Sequence, residues 1–265
     1  MRTRSVLLAF LLILCGWGVL VAQNPFREYR GEDNVPLPAD WQVPHEWVTA
    51  RMMWQSFGGR SAAGFGGWGT DYPGGDRNLI EGVRRLTRID VRSVEQPVAI
   101  DGTDDVYNWP FLYAVEVGRW ELNEEEGKQL REYLDRGGFL MVDDFHGRDQ
   151  WADFEAGIRM AFPNEVIEDL PQDDPIFHML SDVDLKMQIA GEAALMYGRT
   201  WEQSSDIQPR WRGIRDAKGR IVVAICHNMD LGDAWEHSND PWYPAEMATA
   251  AHRVLVNYAT YDLTH

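Results

Sequence analysis

The chain has 265 residues, 45 % of them hydrophobic, and a net charge of −17. That length supports one large core and the apolar content excludes general disorder, while the acidic balance repels phosphate backbones and so excludes nucleic acid as a partner. Only Cys226 lies beyond residue 22, which rules out an internal disulfide or a cysteine-based zinc cluster in that part of the chain.

Arg2 and Arg4 precede a nearly unbroken apolar run over residues 5–21, and the small Ala22 follows. This order reads as an export signal over residues 1–22, which places the protein in the periplasm or outside the cell. An uncleaved anchor is the alternative and would be the only membrane contact. Residues 23–44 carry Pro25, Pro36, Pro38 and Pro44 and read as an extended arm, leaving residues 45–265 as a single α/β domain.

Residues 47–54 form the first expected strand. Residues 57–75 hold eight glycines and read as a long loop, without the strand–G-x-G-x-x-G–helix context of a nucleotide cradle. Leu79, Ile80, Val83 and Leu86 mark one face of a helix that Asp76 is expected to cap. Short strands are expected within residues 89–100 and over 111–115. Asn123 and Glu126 form a capping box, Leu130, Tyr133 and Leu134 the buried stripe of that helix, and Gly137 and Gly138 its stop. Residues 139–142 are apolar on both faces, as a central parallel strand requires. A helix is expected over 151–162. Residues 163–220 read as irregular, with strand candidates at 185–189 and 194–197. Residues 221–226 repeat the apolar-strand pattern, and 245–258 carry a helical stripe. Strands alternating with helices predict a three-layer, mostly parallel sheet covered on both faces.

In such sheets ligands bind outside the carboxyl ends of the strands. Two apolar strands here run into polar clusters: Asp143, Asp144 and His146 after the first, His227, Asn228 and Asp230 after the second. Together with Asp71 from the glycine loop, these seven residues are the candidate ligand-binding set. Asp144, His146, His227 and Asp230 are the candidate ligands for a divalent cation, because carboxylates and imidazoles are its natural partners. Asp144 and His227 are the candidates for acid–base work. The competing reading is structural: an aspartate at a strand end also caps turns and helices. Of two adjacent carboxylates only one can face a cleft, and Asp144, further past the strand, is the expected one. No G-x-S-x-G elbow is present, and Cys226 beside His227 on one strand makes a poor dyad. Trp68, Trp109, Trp120, Trp235 and Trp242 belong either to a contact surface or to the core.

Four stretches resemble the family known as domain of unknown function 4159: Trp68-Gly69-Thr70-Asp71-Tyr72-Pro73 with Asp76; Leu130-Arg131-Glu132-Tyr133-Leu134 with Gly137-Gly138-Phe139-Leu140 and Asp143-Asp144; His227-Asn228-Met229-Asp230 with Gly232-Asp233-Ala234-Trp235-Glu236; and Val256-Asn257-Tyr258. The resemblance implies a divergent class I glutamine amidotransferase-like, flavodoxin-like domain in an exported bacterial protein. Where active amidotransferases carry a nucleophilic cysteine, this chain has Asp143 and Asp144, so glutaminase activity is not expected. The first functional expectation is a non-catalytic ligand-binding or assembly module of the cell envelope, with a protein partner or a small carbohydrate-like ligand and no required cofactor. The second is a metal-assisted or carboxylate-based hydrolase acting on glycan or amide bonds.

Overall fold

The computed structural model describes residues 35–56, 60–61 and 66–265. The expected export signal over residues 1–22, residues 23–34 of the expected arm, and residues 57–59 and 62–65 of the glycine loop lie outside the described residues. Seven strands form the main sheet: β1 (Thr49–Met53), β2 (Gln96–Ala99), β3 (Phe111–Val115), β4 (Phe139–Asp143), β5 (Glu168–Asp169), β6 (Arg210–Arg215) and β7 (Ile221–His227). Their order is β2-β1-β3-β4-β7-β6-β5. The first five positions are mutually parallel; β6 pairs antiparallel with β7 and the edge strand β5 antiparallel with β6, so β6 alone runs against the rest. The sheet is therefore mixed, and mostly parallel. A small three-stranded sheet joins Gln55–Ser56 to Arg60–Ser61 and Trp120–Glu121.

Six helices are described: α1 (Gly74–Leu86), α2 (Glu124–Asp135), α3 (Gly147–Ala161), α4 (Glu192–Met196), α5 (Leu231–Glu236) and α6 (Ala245–Thr264). Helices α1, α5 and α6 pack together over one face of the sheet, and α2 and α3 over the other. Strand alternation divides the two cores. Phe111, Tyr113, Phe139 and Met141 face the first layer, while Leu112, Ala114, Leu140 and Val142 face the second. In the first core the Trp47, Phe111 and Phe139 rings form a chain with 5.3 Å between successive centroids. Among the described residues no helix is long and apolar enough to cross a membrane.

Several sequence expectations are corrected. Asp76 does not cap α1; Pro73 precedes the helix, and Asp76 is buried in the first turn against Arg51. Helix α3 begins at Gly147 rather than at 151. Residues 185–189 form no strand and 194–197 fall largely in α4. Strands β5 and β6 lie in a stretch expected to be irregular. The reason is that β6, with Arg210, Arg212 and Arg215, is an antiparallel strand towards the sheet edge and lacks a continuous apolar run. Trp68, Trp109, Trp120 and Trp235 are core residues; of the five tryptophans considered for a contact surface, only Trp242 is half-exposed. The capping box of α2 is formed as expected, with the Asn123 side chain accepting from the Glu126 amide and Glu126 accepting from the Asn123 amide.

Candidate cation site at the strand ends

Four non-glycine residues among those described have positive φ: Asp71 (60°), Glu116 (54°), Asp144 (54°) and Asn228 (63°). Glu116 follows β3, Asp144 follows β4 and Asn228 follows β7, while Asp71 sits in the turn leading into α1. Left-handed backbone at a non-glycine residue is uncommon and tends to collect at functional sites. Here it re-aims side chains around one rim.

Asp143 is the last residue of β4 and points into the α1/α5/α6 layer. Its Oδ2 accepts hydrogen bonds from the Leu231 amide (2.7 Å), the Gly232 amide (3.2 Å) and the Tyr113 hydroxyl (3.2 Å). It thereby clamps the start of α5 to the sheet. Burial pushes its pKa up to about 7 against the downward pull of those donors. Asp143 is a structural carboxyl beneath the site.

The left-handed turn at Asp144 breaks strand alternation and brings its carboxylate to those of Asp71 and Asp230. One oxygen from each of the three lies within 4.8 Å of the other two. All three side chains are buried, with residue exposures of 6 %, 6 % and 5 % for Asp71, Asp144 and Asp230. Asp230 caps α5 through a 2.8 Å bond from the Asp233 amide to its Oδ1. Asp71 Oδ2 has no hydrogen-bond partner among the described residues. No Lys or Arg among them makes an ion pair with any of the three. Burial first, and then mutual repulsion, raises each pKa well above the ordinary value: Asp233 and Asp144 act on Asp71, Glu116 and Glu202 on Asp144, and Asp144 and Asp233 on Asp230.

Two glycines keep the cradle open. A Cβ on Gly232 would lie 2.2 Å from Asp71 Oδ2, and a Cβ on Gly191 would lie 2.3 Å from Asp230 Oδ2 and 2.8 Å from Glu202 Oε1. Gly232→Ala is thus expected to displace the Asp71 carboxylate and weaken cation binding about tenfold or more, as loss of a supporting contact does at metal sites. Calorimetric titration of this variant beside the parent protein checks this; unchanged affinity would remove Asp71 from the ligand set.

His146 lies against the triad. Its Nε2 is 3.1 Å from Asp144 Oδ1 and 3.7 Å from Glu202 Oε2, and its Nδ1 has no partner. Burial lowers its pKa although Glu202 and Glu116 pull the other way, so the ring is neutral at pH 7.

The structure therefore brings Asp71, Asp144 and Asp230 together, with His146 beside them and Asp143 below. It does not bring His227 into the cluster. Its Nε2 donates to the Gly147 carbonyl (3.0 Å), its Nδ1 accepts from Arg212 (3.5 Å), and its ring packs on Phe145 and Trp151. Burial lowers its pKa to about 4. Asn228 also works structurally: its Oδ1 accepts from the Gly147 amide and its Nδ2 donates to the Gln208 carbonyl, both at 2.8 Å. Glu202, Glu116 and Gly191 were not singled out in the sequence, and Gly232 entered only as part of the family resemblance. Glu202 comes from an irregular stretch where no periodicity marks it.

The three oxygens form an all-carboxylate set suited to a hard divalent cation. The orphaned oxygen of Asp71, which the missing side chain of Gly232 lets into the cradle, fits such an ion, and ionising three buried carboxyls together requires a positive charge there. No curated protein matches the chain. The family model described as Domain of unknown function (DUF4159) matches residues 61–263, which carry four of the five parallel strands, all six helices and every residue of the carboxylate triad, and the chain belongs to that family.

Proposed function

We propose that this is an exported cell-envelope module that binds a hard divalent cation on Asp71, Asp144 and Asp230 and, through it, an oxygen-rich ligand. The observation that carries this reading is the convergence of three buried carboxylates that no Lys or Arg among the described residues pairs with directly, Arg51 acting on Asp71 only from beyond ion-pair distance. Such a group is either held protonated or neutralised by a cation. The parallel strands run in the order first described for flavodoxin-like sheets, second-first-third-fourth and then the fifth parallel strand. This supports a flavodoxin-like, class I glutamine amidotransferase-like domain, with the triad on the rim where such sheets bind ligands. Asp143 and Asp144 stand where active amidotransferases have their cysteine, and Cys226 is buried with its pKa pushed up by burial. Both points favour a binding role over amide transfer. A carbohydrate-like ligand suits the site, because hydroxyl oxygens complete the shell of a hard cation.

A second reading, a hydrolase acting on glycan or amide bonds, is favoured by one feature. The neutral, buried His146 lies with Nε2 against the Asp144 and Glu202 carboxylates, which leaves its unpartnered Nδ1 as the nitrogen able to accept a proton. Calorimetric titration of the full chain with Mg²⁺, Ca²⁺ and Mn²⁺, with Asp144→Asn and Asp230→Asn alongside, tests the cation site. Saturable binding that both variants abolish is expected. Absence of binding for every cation, or binding that survives both substitutions, would sink it. A cation-dependent cleavage of glycan or amide substrates lost in His146→Gln, with cation affinity retained, would promote the second reading.

A further inference from the structure

A separate cleft of about 770 Å³ opens between the carboxyl ends of β1 and β2 on one side and the Glu125–Glu132 stretch of α2 on the other. None of the triad residues lines it. Its floor is apolar: Met53, Ala99 and Tyr107 are partly exposed there, over the buried Trp54 and Ile100. Its walls are acidic. Asp101 and Asp104 project from the loop after β2, and Glu125, Glu126 and Glu132 from α2, against one basic lining residue, Lys128. That lysine is already held by Glu125 at 2.7 Å. Glu126 is engaged in the capping box, and Glu132 accepts from the Tyr107 hydroxyl and from Arg136 at 2.5 Å, but Asp101, Asp104, Glu125 and Glu132 all remain exposed. The Thr103 hydroxyl and amide hold the Asp101 carboxyl below its ordinary pKa.

We infer that this cleft binds an extended basic peptide segment, with Lys or Arg side chains on the two acidic walls and an apolar side chain on the floor between them. The spacing favours a polypeptide over a small cation. Glu125 and Glu132 are seven residues apart on a helix, about 10 Å along its axis. Reading both ends takes about three residues of extended chain at roughly 3.3 Å each. Carboxylates on facing walls with apolar surface between them match alternating basic and apolar side chains, and a simple polycation would leave the floor unused. A chain with a net charge of −17 repels a second copy of itself and attracts a basic partner, so the segment is assigned to another protein.

The test is binding of the capped pentapeptide Lys-Leu-Lys-Leu-Lys to the full chain by calorimetry, at low and high ionic strength. The corresponding Glu-Leu-Glu-Leu-Glu peptide and spermidine serve as controls. The basic peptide is expected to bind, more weakly at high salt. Asp104→Asn combined with Glu132→Gln is expected to weaken it about tenfold, as neutralising rim charges does at such interfaces. Both positions are exposed, and an unchanged unfolding midpoint confirms that the variant is folded. Asp144→Asn is expected to bind the peptide as the parent does, which separates this cleft from the cation site. Failure of the basic peptide to bind, equal affinity for the acidic peptide or for spermidine, or indifference to the double substitution would overturn the inference.

Discussion

Without a cation, the protein is expected to lose stability steadily as pH rises above about 4, and a saturating hard divalent cation is expected to abolish much of that loss. Asp71, Asp144 and Asp230 all have folded-state pKa values well above the ordinary 3.8, chiefly through burial, and Asp143 stands at about 7. In the unfolded chain these groups give up their protons near the ordinary value. Between that value and the folded one the native state holds more protons than the unfolded state, so stability falls with rising pH. One held proton gives a slope of about 1.4 kcal/mol per pH unit, and the effect summed over the site is large. A cation binds the ionised carboxylates, so it displaces the held protons and its affinity rises with pH. At a hundred times its dissociation constant it adds about 2.7 kcal/mol. Unfolding midpoints measured in EDTA and in excess cation from about pH 4 to pH 8 should therefore diverge upward in pH. Asp144→Asn should flatten the EDTA curve and remove the cation effect. A midpoint in EDTA that climbs over this range, or an equal cation shift in Asp144→Asn, would remove the triad as a cation site.

How much of this was legible in the sequence differs by element. The central strand β4 announced itself as an apolar run, and α2 by its cap, because in both cases the local signal and the tertiary environment agree. Strand β6 did not, since its arginines mask a strand next to the sheet edge that needs only one apolar face. In the site, Asp144 was readable from its place two residues past an apolar strand. That it joins Asp71 and Asp230 depends on its left-handed backbone, which no pattern rule indicates. The position of His227 follows from alternation once Cys226 is assigned to the α6 layer: the next residue must face the opposite core, where it meets Phe145 and Trp151. Glu202 and the close approach of Asp230 to Gly191 come from long-range packing of an irregular stretch and had no sequence signal.

Arg51 is the other residue whose replacement should have a large effect. It sits at the middle of a central strand, where the pattern would place an apolar side chain, and it is fully buried. Its Nη2 lies 2.5 Å from Asp76 Oδ2, its Nε donates to both Asp76 oxygens at 3.2 Å, and its guanidinium lies 4.6 Å from the centroid of the Tyr113 ring. Burial works against the charge, yet the Asp76 carboxylate keeps the guanidinium above its ordinary pKa. The pair anchors the first turn of α1 to β1 and so fixes the preceding turn, from which Asp71 reaches the cradle. Arg51→Met leaves Asp76 buried without its partner and is expected to cost about 3–5 kcal/mol. For a chain of this size that lowers the unfolding midpoint by roughly 10 °C. Arg51→Met combined with Asp76→Leu removes both charges and is expected to recover more than half of the loss, because two desolvation penalties vanish with the pair. Thermal unfolding of the two variants decides the matter. A single substitution costing less than about 1 kcal/mol would mean that solvent reaches the pair. A double variant no better than the single one would mean that Arg51 acts through packing against Tyr113 and not through its charge.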